Sequence, residues 1–548
     1  MWNQNFDPLG NALLSTLAAA LPVLVLFYFL GIRRIPAWRA AIYAFITAVV
    51  VAMGVFHMPG VMVLGAVSNG VVFGWFRVAW IVLAAVFVYE IAVESGQFEI
   101  IKQAVGSISP DRRLQVLLIA FAFGALLEGA GGGGAPVAVT AAMMIGLGFP
   151  PFETVVMCLI ANSAPVAFGA LGGPVRTLVA VTGLPEADFS AMIGRILPLT
   201  TLVLPFWIIR VLCSTREMLK VWPGLLLCGL TFGGLQFFSS NFLGPALVDV
   251  IGGIGTLVVL GVFFKKIWKP NQIWRYSGEG DGLASEDRGL MSFGRLLLAC
   301  SPFLLLTGFV ILWGLPPIAK KLEMFSWRLP VPGLHLQVVR MPPVVAKSYA
   351  EPAMFEFSWL ASPGTGTFLA GLIAGPLAGL SFLQTLKVFY RSFWRLRLSI
   401  VAIMAMLGIG YIIRYCGMDA TMGMAMSHTG VLFPFFGTMI GWLGVALSGT
   451  DAGSNALFGG LQTITANNLG LSPILMGAAN SAGGVMGKMI AAQSLVIGCA
   501  ATGQEGQEGA IFRVVIKHSV ALVILVGLIV MMYAYIFPNA IPQGHRYW

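Results

Sequence analysis

The sequence predicts an all-α polytopic membrane protein of about 12 transmembrane helices plus two re-entrant hairpins, arranged as an inverted repeat. Three observations carry this. Charged residues are 10% of the 548 residues and apolar residues 58%, against about 25% charged in soluble domains. Apolar runs of 18 or more residues recur from end to end, each long enough to cross about 30 Å of hydrocarbon. One phrase also occurs twice: Ala161-Asn162-Ser163-Ala164 followed by Gly169, and Ala479-Asn480-Ser481-Ala482 followed by Gly487. Each copy follows a glycine-rich stretch with one carboxylate, Glu128 in EGAGGGGAP and Asp451 in GTDAGSNAL. Polar, helix-breaking residues in corresponding places of two membrane halves point to a binding site.

The net charge of +10 reflects 32 Lys and Arg against 22 Asp and Glu. Such an excess can serve nucleic acid or bias membrane loops, and the positions choose the loops. Basic residues cluster in five short connections: Arg33, Arg34 and Arg39; Lys102, Arg112 and Arg113; Arg210, Arg216 and Lys220; Lys265, Lys266, Lys269 and Arg275; Lys387, Arg391, Arg395 and Arg397. The positive-inside rule makes these regions cytoplasmic. Charges follow the first apolar run instead of preceding it, which reads as an uncleaved helix with its N-terminus outside. The six cysteines lack a CxxC pair or a His partner at metal spacing and read as small core residues.

Threading a single membrane domain, 1–548, through these loops gives each element its direction. Helices over 10–31, 38–56 and 71–92 alternate inward, outward and inward, leaving residue 113 cytoplasmic. A run over 190–210 must enter the Arg210 cluster from outside, so 114–148 and 152–182 together make one net crossing. A re-entrant hairpin over 114–148 with its tip near 128–136, then a helix over 152–182 interrupted at 162–174, satisfies that count. These belong to a first unit, 71–212.

The second unit, 398–537, repeats the plan inverted. From a basic loop at 387–397 a helix over 398–416 exits, and 431–467 forms a hairpin with its tip near 449–455. Residues 470–500 re-enter as a second interrupted helix, 502–516 is cytoplasmic and 517–537 exits, so both termini lie outside. Residues 213–397 join the units through helices near 221–240, 245–264, 295–314 and 364–382, which carry few buried polar groups and read as scaffold. The polar connection 265–293, with Gly278, Gly280 and Gly282, reads as a cytoplasmic linker. The external stretch 315–360 reads as lying partly along the membrane surface, and neither receives a chemical role.

Glycine and proline inside a membrane run free backbone groups that lipid cannot satisfy, so such breaks face protein or a wet cavity. Half-helix N-termini aimed into that cavity suit a carboxylate. Asn162, Ser163, Asn480 and Ser481, with Ser454 and Asn455 on the hairpin, add donors and acceptors for a hydroxyl beside it. The plainer reading is that small polar residues let helices pack closely, and two inverted copies beside carboxylates favour the site. For Glu128, Asp451 and Lys488 two readings stand together: an ion pair from Lys488 to either carboxylate, or a proton-carrying carboxylate with Lys488 attracting an anion. Arg176 is a further candidate ligand, while Arg414 reads as a helix-end residue snorkelling outward.

Enzyme signals fail. Gly129, Gly131 and Gly134 fit GxGxxG, but no soluble strand precedes them and no ribose-binding acid follows. The stretch ending Gly487-Lys488 has Met489 where a phosphate loop needs Ser or Thr, and HExxH and GxSxG do not occur. His428 and His518 are isolated and read as packing or edge residues.

At EGAGGGGAPVAVTAA, NSAPVAFGALG, RMPPVV, GTDAGSNALF, NSAGGVMGKMIAAQS and the opening WNQNFDPLGN, the chain resembles the bacterial L-lactate permease family, which includes glycolate permeases. The resemblance covers essentially the whole chain. It implies proton-coupled symport of short 2-hydroxymonocarboxylates such as L-lactate, D-lactate and glycolate across the bacterial inner membrane. It also implies an elevator movement of a transport unit against a scaffold. No cofactor is expected beyond the coupling proton. The expected partners are the hydroxy-acid anion, the proton and the bilayer, without nucleic acid, and with a homodimer as an open option. Glu128 and Asp451 are the proton-coupling candidates; Asn162, Ser163, Asn480, Ser481, Ser454, Asn455, Lys488 and Arg176 are the substrate-binding ones. The chain departs from the family pattern EGAAGFGAP at Gly131 and Gly133, from GKMISPQS at Ala491 and Ala492, and at Arg176, where an apolar residue is usual. A competing class is a proton- or ion-translocating subunit of a larger complex. That class would carry Lys, Glu and His along successive helices, whereas here polar residues gather in two units.

Overall fold

The computed structural model describes all residues except 30–32, 34, 131, 133–134, 277–292, 315, 343, 345–347, 505–506 and 545–548. Arg34, Gly131, Gly133 and the linker glycines Gly278, Gly280 and Gly282 therefore lie outside the described residues. Among the described residues, ten helices are long and apolar enough to cross a membrane, or up to 11 when one bent pair counts as a span. Four shorter apolar helices, including Ala12–Phe27 and Gly364–Leu377, accompany them.

Most expected helices form within a few residues of their expected bounds, because continuous apolar runs leave the backbone no partner but itself. The third is longer than 71–92: it starts at Gly60 and runs unbroken to Glu94. A larger correction concerns the basic stretch 387–397. It is the first part of a 35-residue helix, Phe382–Cys416, opened by a Ser381–Gln384 capping box. Its charges ride an exposed helical face, with Arg391 on Glu94 at 2.9 Å and Arg395 on Glu90.

Arg113 is also no loop charge in water, since it is fully buried. It grips Asp111 through Nε at 3.0 Å and Nη2 at 2.6 Å and donates to the carbonyls of Glu217 and Gln272 at 2.8 and 2.9 Å. Three of the five basic connections are thus fastened at one end of the molecule. The opposite end gathers both termini. Trp2–Asn3 pairs in parallel with Val338–Arg340, Gln4 donates to the Arg414 and Tyr415 carbonyls, and Gly544 N donates to Asp188 beside the start of Glu186–Leu212.

At that end the described residues of the stretch 315–360 form a short helix, Pro316–Glu323, followed by a cap of short strands. Val338–Arg340 pairs with Tyr349–Ala350, and Trp327–Pro330 with Met354–Phe357, both antiparallel. Arg340 lies 3.0 Å from Asp419 and 3.5 Å from Glu351, and Glu351 lies 2.8 Å from Arg414 Nε. Arg414 therefore does not snorkel to the headgroups: it sits in a buried four-charge cluster supplied half by the cap.

Two large apolar cores, beside two small ones, hold the helices among the described residues. The larger joins residues between Ile81 and Val310 to the C-terminal helices, and the smaller packs the first three helices against Met406–Met422 and Ala456–Leu461. Trp222–Phe242 packs on Glu186–Leu212, and Val248–Val262 on Gly124–Ala130, so these connecting helices touch the first unit directly. Close approach depends on glycine. A side-chain carbon at Gly441 would collide with the Asn480 carbonyl, and one at Gly483 with that of Thr438, where Phe433–Ser448 meets Pro473–Gly487.

Candidate binding and coupling site

Two chain reversals and two helix breaks converge on one buried polar region. At the first reversal Gly124–Ala130 gives way to Ala135–Gly146, and a side-chain carbon at Gly124 would meet Thr140 at 3.5 Å, so the chain doubles back. The second runs from Phe433–Ser448 through Gly449, at φ 78°, to Asp451–Asn468. Antiparallel packing follows from Ser454 Oγ donating to Gly441 O at 3.1 Å and Gln462 Nε2 to Gly437 O at 2.7 Å.

The first break lies in the expected segment. Pro151–Ala161 and Val166–Thr182 are bent by 60°, with Asn162 capping the first piece. Ala170, Leu171 and Gly172 follow with left-handed φ of 46, 56 and 77°. Such backbone costs about 1–3 kcal/mol per non-glycine residue and persists only when neighbours fix it. Arg176 Nη1 holds the Leu171 carbonyl at 2.6 Å, and Asn455 Nδ2 holds that of Pro174 at 3.1 Å.

The second break is displaced from its phrase. Asn480 and Ser481 lie inside the regular helix Pro473–Gly487, which breaks only afterwards, at Lys488–Ile490 and Ala491. The two copies are alike in sequence but not in backbone: proline at 165 and 174 disrupts the first, and the second has none between Asn480 and its break.

Around the second phrase the network is dense. Asp451 Oδ2 accepts from Ser481 Oγ and, at 3.4 Å, from Asn455 Nδ2. Asn480 Nδ2 donates to Asn455 Oδ1 at 2.9 Å, and Asn480 Oδ1 accepts from Gln462 at 3.1 Å. Lys488 Nζ donates to Gly449 O at 2.6 Å, pinning the reversal to the break. Asp451 Oδ1 has no partner among the described residues.

Around the first phrase the groups stand open. Glu128 is 3% exposed, and its Oε1 lies where a side-chain carbon at Gly169 would stand 2.8 Å away. Asn162 lies beside it, near enough to act on its carboxyl, though neither amide atom of Asn162, nor Glu128 Oε2, comes within hydrogen-bond distance and angle of a described residue. Asp249 completes the group. It sits in the first turn of Val248–Val262, 1% exposed, and both its carboxyl oxygens are unpartnered there.

The structure thus unites Asp451, Ser454, Asn455, Asn480, Ser481 and Lys488 in one cluster and Glu128 with Asn162 in another. Lys488 bridges them: it makes no carboxylate ion pair among the described residues, but its charge acts on both Glu128 and Asp451. Ser163 spends its hydroxyl on the Ile160 carbonyl of its own helix at 2.7 Å. Arg176 is taken up by Leu171 and by Glu186 at 3.5 Å. Sequence reasoning missed Asp249, although a lone carboxylate in VDVIGGIGTLVV was a legible signal. It missed Gln462 for want of a helical register. Among the described residues no group of three or more His, Cys, Asp and Glu forms a metal site.

A multi-pass helical protein whose interior polar groups gather at two chain reversals and two helix breaks belongs to the membrane transporters. The chain is a member of the L-lactate permease family, whose profile matches residues 15–537. It is 41% identical over 550 residues to an L-lactate permease of Salmonella typhimurium, covering 99% of this chain and 100% of that one. An L-lactate permease of Bacillus subtilis is 39% identical, with the same two coverages. A glycolate permease of Escherichia coli is 39% identical over 98% of both chains.

Proposed function

We propose that this permease carries short 2-hydroxymonocarboxylates, L-lactate, D-lactate and glycolate, together with protons across the bacterial cytoplasmic membrane. The observation that carries the reading is the full-length likeness, at 39–41% identity, to permeases named for lactate and for glycolate. A short hydroxy acid is the feature those two cargoes share.

The site chemistry fits such an anion. Asn162 offers an uncommitted amide donor at the first break, and Lys488 supplies positive charge between the clusters. Ser454, Asn455, Asn480 and Ser481 brace the network around Asp451, and Asp451 and Glu128 carry the coupling proton. An interior-negative potential opposes entry of a monovalent anion by about 2.3 kcal/mol per 100 mV. Moving one proton with it removes that opposition and lets a pH gradient drive accumulation. The two halves act as inverted repeats that slide against the remaining helices, with the termini outside and the Arg113 cluster inside.

Uptake of radiolabelled L-lactate, D-lactate and glycolate into proteoliposomes, with and without an imposed pH gradient, tests the reading. Gradient-driven accumulation is expected, and failure to accumulate any of the three would sink it. If Asp451→Asn and Glu128→Gln both kept full gradient-driven uptake, the assignment of the proton to these carboxylates would fall.

A further inference from the structure

We propose that Glu128 and Asp249 form a carboxyl pair that binds one shared proton, with the Asn162 amide as its third member. The role of that proton in transport rests on the proton-coupled reading above; the pair itself rests on geometry.

Three elements press together here. A side-chain carbon at Gly129 would stand 2.8 Å from Asp249 Cβ and 3.0 Å from Val250 N, so the residue after Glu128 abuts the helix that carries Asp249. A side-chain carbon at Gly172, in the left-handed turn of the broken helix, would stand 2.7 Å from Pro245 Cβ, just before that same helix. Glu128 Oε1 lies against Gly169, and the two carboxyls are within electrostatic reach of each other.

Among the described residues the pair lacks the partners that two ionised carboxylates require. A carboxylate in a helix's first turn is ordinarily drawn to free backbone N–H groups. Asp249 is in that position, and neither oxygen accepts a hydrogen bond from a described residue. Glu128 Oε2 is equally bare. The charges facing the pair are few. Lys488 acts on Glu128 but has its ammonium on the Gly449 carbonyl, and Arg176 is held by Leu171 and Glu186. Asp451, also within reach of Lys488, has one oxygen, Oδ2, held by Ser481 and Asn455.

Two like charges buried in one site do not both ionise readily, and one proton between them converts repulsion into an O–H···O bond. The proton bonds to one carboxyl oxygen, the other carboxylate accepts from it, and the Asn162 N–H is placed to serve a remaining oxygen. Only an O–H bond forms or breaks. Because the bond would join the first chain reversal to Val248–Val262, releasing the proton leaves two anions repelling each other across that contact. Proton release and separation of these elements are thereby linked.

Infrared difference spectra of the intact protein in liposomes, taken across a pH step, read protonated carboxyl groups directly. The wild type is expected to lose a protonated-carboxyl band as pH rises, and Asp249→Asn and Glu128→Gln are each expected to remove that band. A band that survives both substitutions, or no such band in the wild type, overturns the pair. Should a variant fail to fold, carbodiimide labelling of the wild type decides, since the reagent attacks protonated carboxyls in apolar surroundings. Label on Asp249 or Glu128 that disappears at high pH supports the pair; no label on either at low pH overturns it. Absence of hydroxy-acid accumulation by the wild type would remove the transport reading while leaving band and label to report on the pair.

Discussion

Asn455 donates its side-chain amide to the carbonyl of Pro174 at 3.1 Å, fastening the helix after the second reversal to the broken helix of the first half. The same amide nitrogen reaches Ser481 Oγ at 3.3 Å, and its oxygen accepts from Asn480. One side chain therefore ties the left-handed turn, the second reversal and the second phrase together.

Replacing Asn455 with Leu should leave the Asn480 amide without its best acceptor and the Pro174 carbonyl without its clamp. A buried polar group stripped of its partner costs about 1–3 kcal/mol. The detergent-solubilised variant should melt several degrees below wild type. Equal melting temperatures would show that the clamp contributes nothing.

Lys488→Met should act on two levels. Removing the Lys488 donor to Gly449 O destabilises the reversal by about 1–3 kcal/mol. Losing the positive charge between the clusters should also cut initial glycolate uptake at low concentration by roughly tenfold, equivalent to about 1.4 kcal/mol. Retained uptake with lowered stability would assign Lys488 to structure alone.

The cap cluster should be intolerant of single neutralisations. Arg340→Met strands Asp419 as a buried anion and leaves Glu351 with Arg414 alone, and breaking one partner of a buried pair costs about 3–5 kcal/mol. Thermal unfolding should show that loss, whereas the surface change Arg328→Met, at a 3.5 Å pair with side chains 68% and 35% exposed, should cost under about 1 kcal/mol.

Glycine substitutions should separate sharply by place. Gly441→Ala drives a methyl into the Asn480 carbonyl and should cost about 1–3 kcal/mol or more, seen as reduced folded yield. Gly234→Ala, in the interior of Trp222–Phe242 with nothing within 4 Å, should be neutral or stabilising by about 0.5–1 kcal/mol.

Much of this was legible because membrane solvent leaves few choices. Apolar runs gave the helices, and the Glu128 and Asp451 stretches marked the reversals. The family membership agrees with the strings around Asn162 and Lys488. Other features depended on partners distant in sequence. Asp249 looked like an ordinary helix residue until Gly129 brought Glu128 to it, and Glu351 lay in a stretch with no periodicity to read. The basic run 387–397 was taken for a loop because charge density signals solvent, yet an exposed helical face meets the same need.

The sequence alone determined the class of protein and the order of its helices, since each follows from local composition and its match to a solvent of hydrocarbon. Only the tertiary structure decided which polar groups meet. It closed a bonded network on Asp451, left Asn162, Glu128 and Asp249 open together, and placed the second break at Lys488 beyond its phrase. Those outcomes depend on contacts hundreds of residues apart, such as Asn455 with Pro174, whose energies no local pattern encodes.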